Sequence, residues 1–316
     1  MNAAATTSPW PHRFAVATFV AAIPLLLFGG TVTTLEAGMA IDGWLVLEPG
    51  RGDHFLLFYP VDKWFLNDGT FAEHTHRLFG ALVGLLSIAT VVAAFRLGAR
   101  GRGRFVALGA LALVCAQGAL GGLRVLENSP ELAFLHGAIA QFVFAFLGFT
   151  AVQLSPRFQG ADLANDEAST RLMRSGLLAL TAVYLAIFAG AWLRHAVSHM
   201  ALSAHILLVA VAIALVFHVA ALFKRCGQAD PSQVMLCRAA RNLHMILGVQ
   251  VLLGFGSLWI VFIEVGENVP EVHQSIFPTL HVLFGALLLA QLLAAVTWTR
   301  RRLAPPEAGT NAETSP

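Results

Sequence analysis

Eight long apolar runs, separated by shorter polar stretches, set the layout of this chain. They cover residues 14–34, 75–95, 105–124, 134–154, 174–193, 203–223, 242–263 and 277–298. Each is near the roughly 20 residues that a helix needs to cross about 30 Å of hydrocarbon. The pattern predicts an all-α integral membrane protein with eight transmembrane helices. The first run has no small-residue cleavage pattern after a short apolar core, so it is expected to be a retained helix rather than a signal peptide. Composition agrees: 57% of the 316 residues are hydrophobic and 12% are charged, and the mean hydropathy is +0.71. Those values exclude an ordinary soluble domain.

The net charge of +2 says little, but its distribution gives an orientation. With the N-terminus inside, the inner segments hold Arg13, Arg96, Arg100, Arg102, Arg104, Arg157, Arg171 and Arg174. They also hold Lys224, Arg225, Arg238, Arg241, Arg300, Arg301 and Arg302. These are 15 of the 20 Lys and Arg residues, leaving Arg51, Lys63, Arg77, Arg124 and Arg194 outside. The bias predicts an even number of spans with both termini in the cytoplasm, here across the cell's inner (plasma) membrane. Cys115 falls in the third span, and Cys226 and Cys237 fall in an inner segment, so no disulfide is expected on the oxidising side. The ten residues between the inner pair do not make a zinc-type spacing, which leaves three free thiols.

The order of small motifs points to an internal duplication. The first span ends in Phe28-Gly29-Gly30 and is followed by Ala37-Gly38-Met39-Ala40; the fifth carries Phe188-Ala189-Gly190 and is followed by His199-Met200-Ala201. The third span carries Gln117, Gly118, Gly121 and Gly122, and the seventh carries Gln250, Gly254 and Gly256. Histidine opens spans two and four, and again spans six and eight. Two pseudo-symmetric four-helix bundles are therefore expected, 1–160 and 161–316, joined through the polar stretch near 157–173. The tail from Pro305 is rich in Pro, Ala, Glu and Thr and is expected to be disordered.

Those four histidines, His76, His136, His205 and His281, all fall at one depth near the outer side, because the even-numbered spans all run inward. Polar metal-capable side chains at membrane depth are costly and read as functional. Paired by half, they read as two bis-histidine haem sites in a helical bundle. Arg77, Arg124 and Arg194 are the outer cations near enough to meet haem propionates, with interfacial snorkelling as the alternative. His12, His54, His74, His195, His199, His218, His244 and His273 are assigned surface or interface places, with His273 or His195 the substitute ligands. Glu73 lies three residues before His76 and shares its helical face. It is read as a proton acceptor, as a hydrogen-bond partner of a ligand histidine, or as a carboxylate favoured by the helix dipole.

Over residues 14–300 the chain resembles the haem A synthase family of cytochrome oxidase assembly proteins. The resemblance rests on Gly29-Gly30-Thr31-Val32-Thr33, Glu73-x-x-His76-Arg77, Gln117 with Gly121-Gly122, His136-Gly137, Leu193-Arg194-His195 and the spans opened by His205 and His281. It implies oxidation of the C8 methyl of haem O to a formyl group by successive hydroxylations. It also implies His76 and His136 as the substrate-haem pair, His205 and His281 as the axial pair of a resident haem b, and Glu73 as the essential acid. The implied partners are haem O, haem O synthase and oxidase assembly factors in a lipid membrane, with self-association open and nucleic acid not among them. A b-type cytochrome for electron transfer and a non-enzymatic haem carrier or transporter remain the alternatives. Many bacterial family members carry a cysteine pair in the first outer segment, whereas residues 36–72 here contain none. That segment instead has Trp44, Phe55, Phe58, Tyr59, Trp64, Phe65 and Phe71, which either cover the site or anchor at the interface. The Arg-His element after the fifth span is extended here by Ser198-His199.

Overall fold

The computed structural model describes residues 8–260, except 98, 100, 165 and 197, and residues 271–303, with side chains from residue 276 in the last stretch. The expected disorder of the tail from Pro305 lies outside the described residues. The long helices are α1 (Trp10–Thr34), α2 (Asp68–Arg96), α3 (Arg102–Leu126) and α4 (Pro130–Leu154), then α5 (Glu167–His195), α6 (His199–Ala229), α7 (Val234–Leu258) and α8 (Glu271–Trp298). Seven of them, all but α7, are long and apolar enough to cross a membrane. Helix α7 overlies the expected seventh span, 242–263, whose last residues lie outside the described set.

Capping residues explain why several helices begin before their apolar runs. The Asn67 side chain accepts from the Thr70 amide at 3.0 Å, and the Asn67 amide donates to Thr70 Oγ1 at 3.3 Å, closing a capping box on α2. Ser129, Asp166 and Ser198 cap α4, α5 and α6 through the Leu132, Ser169 and Ala201 amides. The helices therefore start in polar sequence, and the four histidines sit one turn or more inside them rather than at their openings.

Helix α1 packs on α2, α2 on α3, α3 on α4 and α4 back on α1; α5 to α8 repeat the same circuit. The two circuits meet where α4 and α1 touch α8 and where α4 touches α5. Among the seven spans α8 is the most buried, because it faces α7, α5, α4 and α1 at once. Phe144, Phe223, Leu236, Leu243 and Leu292 form the centre of a core that runs across both circuits. At one end of the helices, a two-residue strand after α8 (Arg301–Arg302) pairs antiparallel with Asp162–Leu163 between α4 and α5. Arg302 also reaches Asp166 at 3.0 Å and Asp230 at 3.2 Å, so the strap joins three connections at that end.

On the opposite side, residues 35–67 fold as a cap. Val46–Leu47 pairs antiparallel with His54–Phe55, and Ile41, Leu47, Leu56 and Tyr59 pack with Trp64 into a small separate core. The connection between α5 and α6 is only Ala196–Ser198, so this cap has no counterpart in the second circuit.

Candidate functional site

Each of the four histidines rests on a glycine of the preceding long helix. A Cβ built on Gly29 would come within 2.8 Å of His76 Cε1, on Gly121 within 2.7 Å of His136, on Gly190 within 2.9 Å of His205, and on Gly254 within 3.0 Å of His281. Only a residue without a side chain admits the ring this close to the helix backbone. Three of the rings also point Nδ1 at the carbonyl one turn before that glycine: His76 at Leu25 (2.9 Å), His205 at Ala186 (2.9 Å) and His281 at Gln250 (3.1 Å). A carbonyl only accepts, so Nδ1 carries the proton and Nε2 keeps its lone pair, as metal-ligating histidines require. At His136 the Gln117 main-chain carbonyl lies on the same side. There the Gln117 amide nitrogen also approaches Nδ1 at 3.1 Å and donates to the His136 carbonyl at 2.8 Å.

The pairing expected from the sequence is present in both halves. The ring centres of His76 and His136 are 6.4 Å apart with planes at 82°, and those of His205 and His281 are 6.3 Å apart at 85°. An imidazole–metal–imidazole axis with metal–nitrogen bonds of about 2.0–2.1 Å, plus about 1.1 Å from each nitrogen to its ring centre, spans about 6.3 Å. Both pairs therefore fit axial ligation of one iron each. Each pair offers two imidazole nitrogens, a donor set that suits two-histidine ligation of a metal already held by a macrocycle.

Gln117 and Gln250 stand one turn before Gly121 and Gly254. The Gln250 amide nitrogen is 3.4 Å from His281 Nε2, and both glutamines leave a buried, unpartnered Oε1. The sequence held this signal, a Gln four residues before a Gly in spans three and seven, but spacing alone does not say that the glycine is a seat for a ring on another helix.

Glu73 is buried at 3% exposure. Its Oε2 accepts from the Ile41 amide at 2.8 Å, and its Oε1 accepts from Arg77 at 2.6 Å. Arg77 also donates to the Gly43 and Ile41 carbonyls at 2.8 and 3.0 Å. Arg124 donates to the Gly38 carbonyl at 2.6 Å, and Trp44 lies against Gly122, beside the seat of His136. Residues 38–44 are thus clamped onto α2 and α3 above the first histidine pair. Arg194 is engaged elsewhere, donating to the Gly30 carbonyl at 2.7 Å and to Thr34 Oγ1 at 2.6 Å across the junction of the two circuits. All three arginines expected to meet propionates have protein oxygen partners.

The aromatic residues of the cap differ in burial. Tyr59 and Trp64 point into the cap and flank His74, each with ring centres 5.0 Å away. Phe55, Phe58 and Phe65 are exposed. His74, assigned to a surface or interface place, is instead 2% exposed with an unpartnered Nδ1, because the cap covers its helix face. His195 stacks edge-on to Phe134 at 6.3 Å, and the His273 side chain lies outside the described residues.

Residues 61–205 match the model of a family described as cytochrome oxidase assembly protein (COX15-CtaA). The chain is also 32% identical over 171 residues to the heme A synthase of Symbiobacterium thermophilum, a match covering 50% of this chain and 55% of that protein. The chain thus spans about half the length of this curated relative.

Proposed function

We propose that this chain, which over residues 61–205 matches the model of the cytochrome oxidase assembly protein family, is a membrane haem A synthase that oxidises the C8 methyl of haem O to a formyl group. The observation that carries the reading is asymmetry within a repeat. Two histidine pairs share one iron-spanning geometry, but among the described residues only the first lies under a cap and beside a buried carboxylate. An electron carrier with two equivalent haems has no use for that difference.

In this reading the eight long helices form two four-helix bundles, 1–160 and 161–316, with both termini in the cytoplasm and the cap on the outer side of the inner membrane. His76 and His136 hold substrate haem O; His205 and His281 hold a resident haem b. Bound haem supplies the iron and conjugated ring for electron transfer and oxidation. The chain supplies orientation, since each ring is set by its glycine seat and a carbonyl one turn away, and exclusion of water, through residues 38–44. Glu73 is held between Arg77 and the Ile41 amide, and acts as proton acceptor when one of these donors gives way. Arg77, Arg124 and Arg194 reach propionates by exchanging carbonyl partners on the cap and on α1. Haem O synthase, as the source of substrate, and oxidase assembly factors are the expected partners.

The test is expression in cells that supply haem O, with extraction and chromatography of the haems. Haem A or its hydroxylated precursor is expected, and unchanged haem O would reject the activity. Glu73→Gln keeps the size but removes the charge. We expect inserted protein with little or no haem A. Loss of product while the Ile41 amide stays protected from hydrogen exchange assigns Glu73 to proton transfer; loss of both assigns it to holding the cap. Haem A at the parental rate would remove Glu73 from the mechanism.

A further inference from the structure

A cavity of about 10 Å³ lies inside the first helix circuit, below the level of His76 and His136. Thr18 of α1, Ser87 and Thr90 of α2 and Thr150 of α4 line it, with Ala107 and Ala110 of α3. The four hydroxyl residues are only 2–3% exposed. Each hydroxyl donates at 2.8 Å to the carbonyl one turn back in its own helix: Thr18 to Phe14, Ser87 to Val83, Thr90 to Leu86 and Thr150 to Phe146. The oxygens keep lone pairs for the cavity. Thr18 Oγ1 and Thr90 Oγ1 also lie within hydrogen-bond distance of each other, at 3.3 Å, with either hydroxyl able to donate.

We infer that this cavity binds one water molecule, which donates to hydroxyl oxygens of different helices and bridges them inside the membrane. The volume is at the lower limit for a single water, roughly 10–15 Å³, and the wall offers the two to four polar partners such a water needs. The second circuit is an internal control. Counted from the histidine and glycine seats, Thr18 corresponds to Ala179, Ser87 to Val216, Thr90 to Val219 and Thr150 to Ala295. All four counterparts are buried and none has a hydroxyl. Ala110 corresponds to Leu243, a larger side chain that is fully buried. The equivalent positions are therefore apolar in one half and carry hydroxyls around a void in the other. A back-bonded hydroxyl is tolerated in lipid because its proton is satisfied, but four of them around one void have no packing purpose that Ala and Val do not serve in the other half. The inference stands apart from the reaction proposed above.

Radiolytic hydroxyl-radical footprinting labels side chains beside bound water even when they are buried. Leu147 lines the cavity and is 3% exposed, while its counterpart Leu292 is 0% exposed. In the full-length protein in lipid nanodiscs, Leu147 is expected to be labelled several-fold more than Leu292. Thr90→Val, the residue of the second half, should bring Leu147 down to the level of Leu292, whereas Thr90→Ser, which keeps the oxygen, should leave it labelled. Should Thr90→Val fail to insert, Ser87→Val serves the same comparison. Equal labelling of Leu147 and Leu292 in the parent, labelling indifferent to the valine, or loss in the serine variant would each overturn the water site.

Discussion

Gly121 and Gly254 are empty of side chain because an imidazole from the next helix fills the space. Gly118 and Gly248, one turn or so away on the same helices, meet nothing within 4 Å of a built Cβ. The two kinds of glycine should answer alanine in opposite ways. At Gly118 or Gly248 the added methyl relieves backbone entropy and stabilises the helix by up to about 1 kcal/mol. At Gly121 or Gly254 it drives into His136 or His281, and overpacking of this kind costs about 1–3 kcal/mol. Thermal unfolding together with the optical spectrum of bound haem separates them. Gly121→Ala and Gly254→Ala are expected to change the spectrum of their own site, and Gly118→Ala and Gly248→Ala to leave it alone. A parental spectrum in Gly254→Ala would show that the seat does not position the ring. The four seats were partly legible: their glycines stand out in the sequence, but the partner of each lies on another helix, and only packing says which ring a glycine admits.

At the scale of elements, the cap carries a pair whose contribution to stability responds to pH. Glu48 accepts from Lys63 and, at 3.3 Å, from Tyr59. The Lys63 hydrogen bond holds its carboxyl below the ordinary glutamate value of 4.5, against the opposing effect of burial. Because the folded value is depressed, the contribution of the pair is fully present above 4.5 and is lost as pH falls through the folded value. Amide exchange in cap peptides should therefore accelerate as pH falls below 4.5 relative to Glu48→Gln, which lacks the titrating group. Equal pH profiles for the two proteins would show that the Glu48–Lys63 pair does not hold the cap. Helices were the most legible elements, since length and apolarity define them. The cap was not, because its short strands and small core depend on contacts with α2 and α3 rather than on any local pattern. The burial of His74 followed from the same blind spot.

For the whole molecule, the decisive place is where the two circuits touch. Gly29 seats His76, and the adjacent Gly30 faces Thr279, two residues before His281, while its carbonyl accepts from Arg194. A Cβ on Gly30 would lie 2.8 Å from Thr279 Cγ2. Gly30→Ala is expected to destabilise the protein by about 1–3 kcal/mol through overpacking, and Thr279→Ala should relieve most of that cost in the double variant. Thr279 Oγ1 is buried without a partner, so its removal alone leaves no hydrogen bond unmade. A double-mutant cycle on unfolding midpoints measures the coupling. Additive effects would mean that the two halves do not meet tightly at this point.

Composition and spacing by themselves determined the membrane-embedded helical class, the repeat and the four histidines, because burial in lipid demands long apolar runs and makes each intramembrane polar residue conspicuous. Only tertiary structure decided what those residues do to one another. It put the imidazole pairs at a spacing that suits one iron, gave the Glu73 carboxylate to Arg77 and the Ile41 amide, turned Arg194 toward α1, and gathered four hydroxyls around a void in the first half. Such pairings join residues far apart in the chain, and one-dimensional spacing carries no information about which faces of separate helices meet.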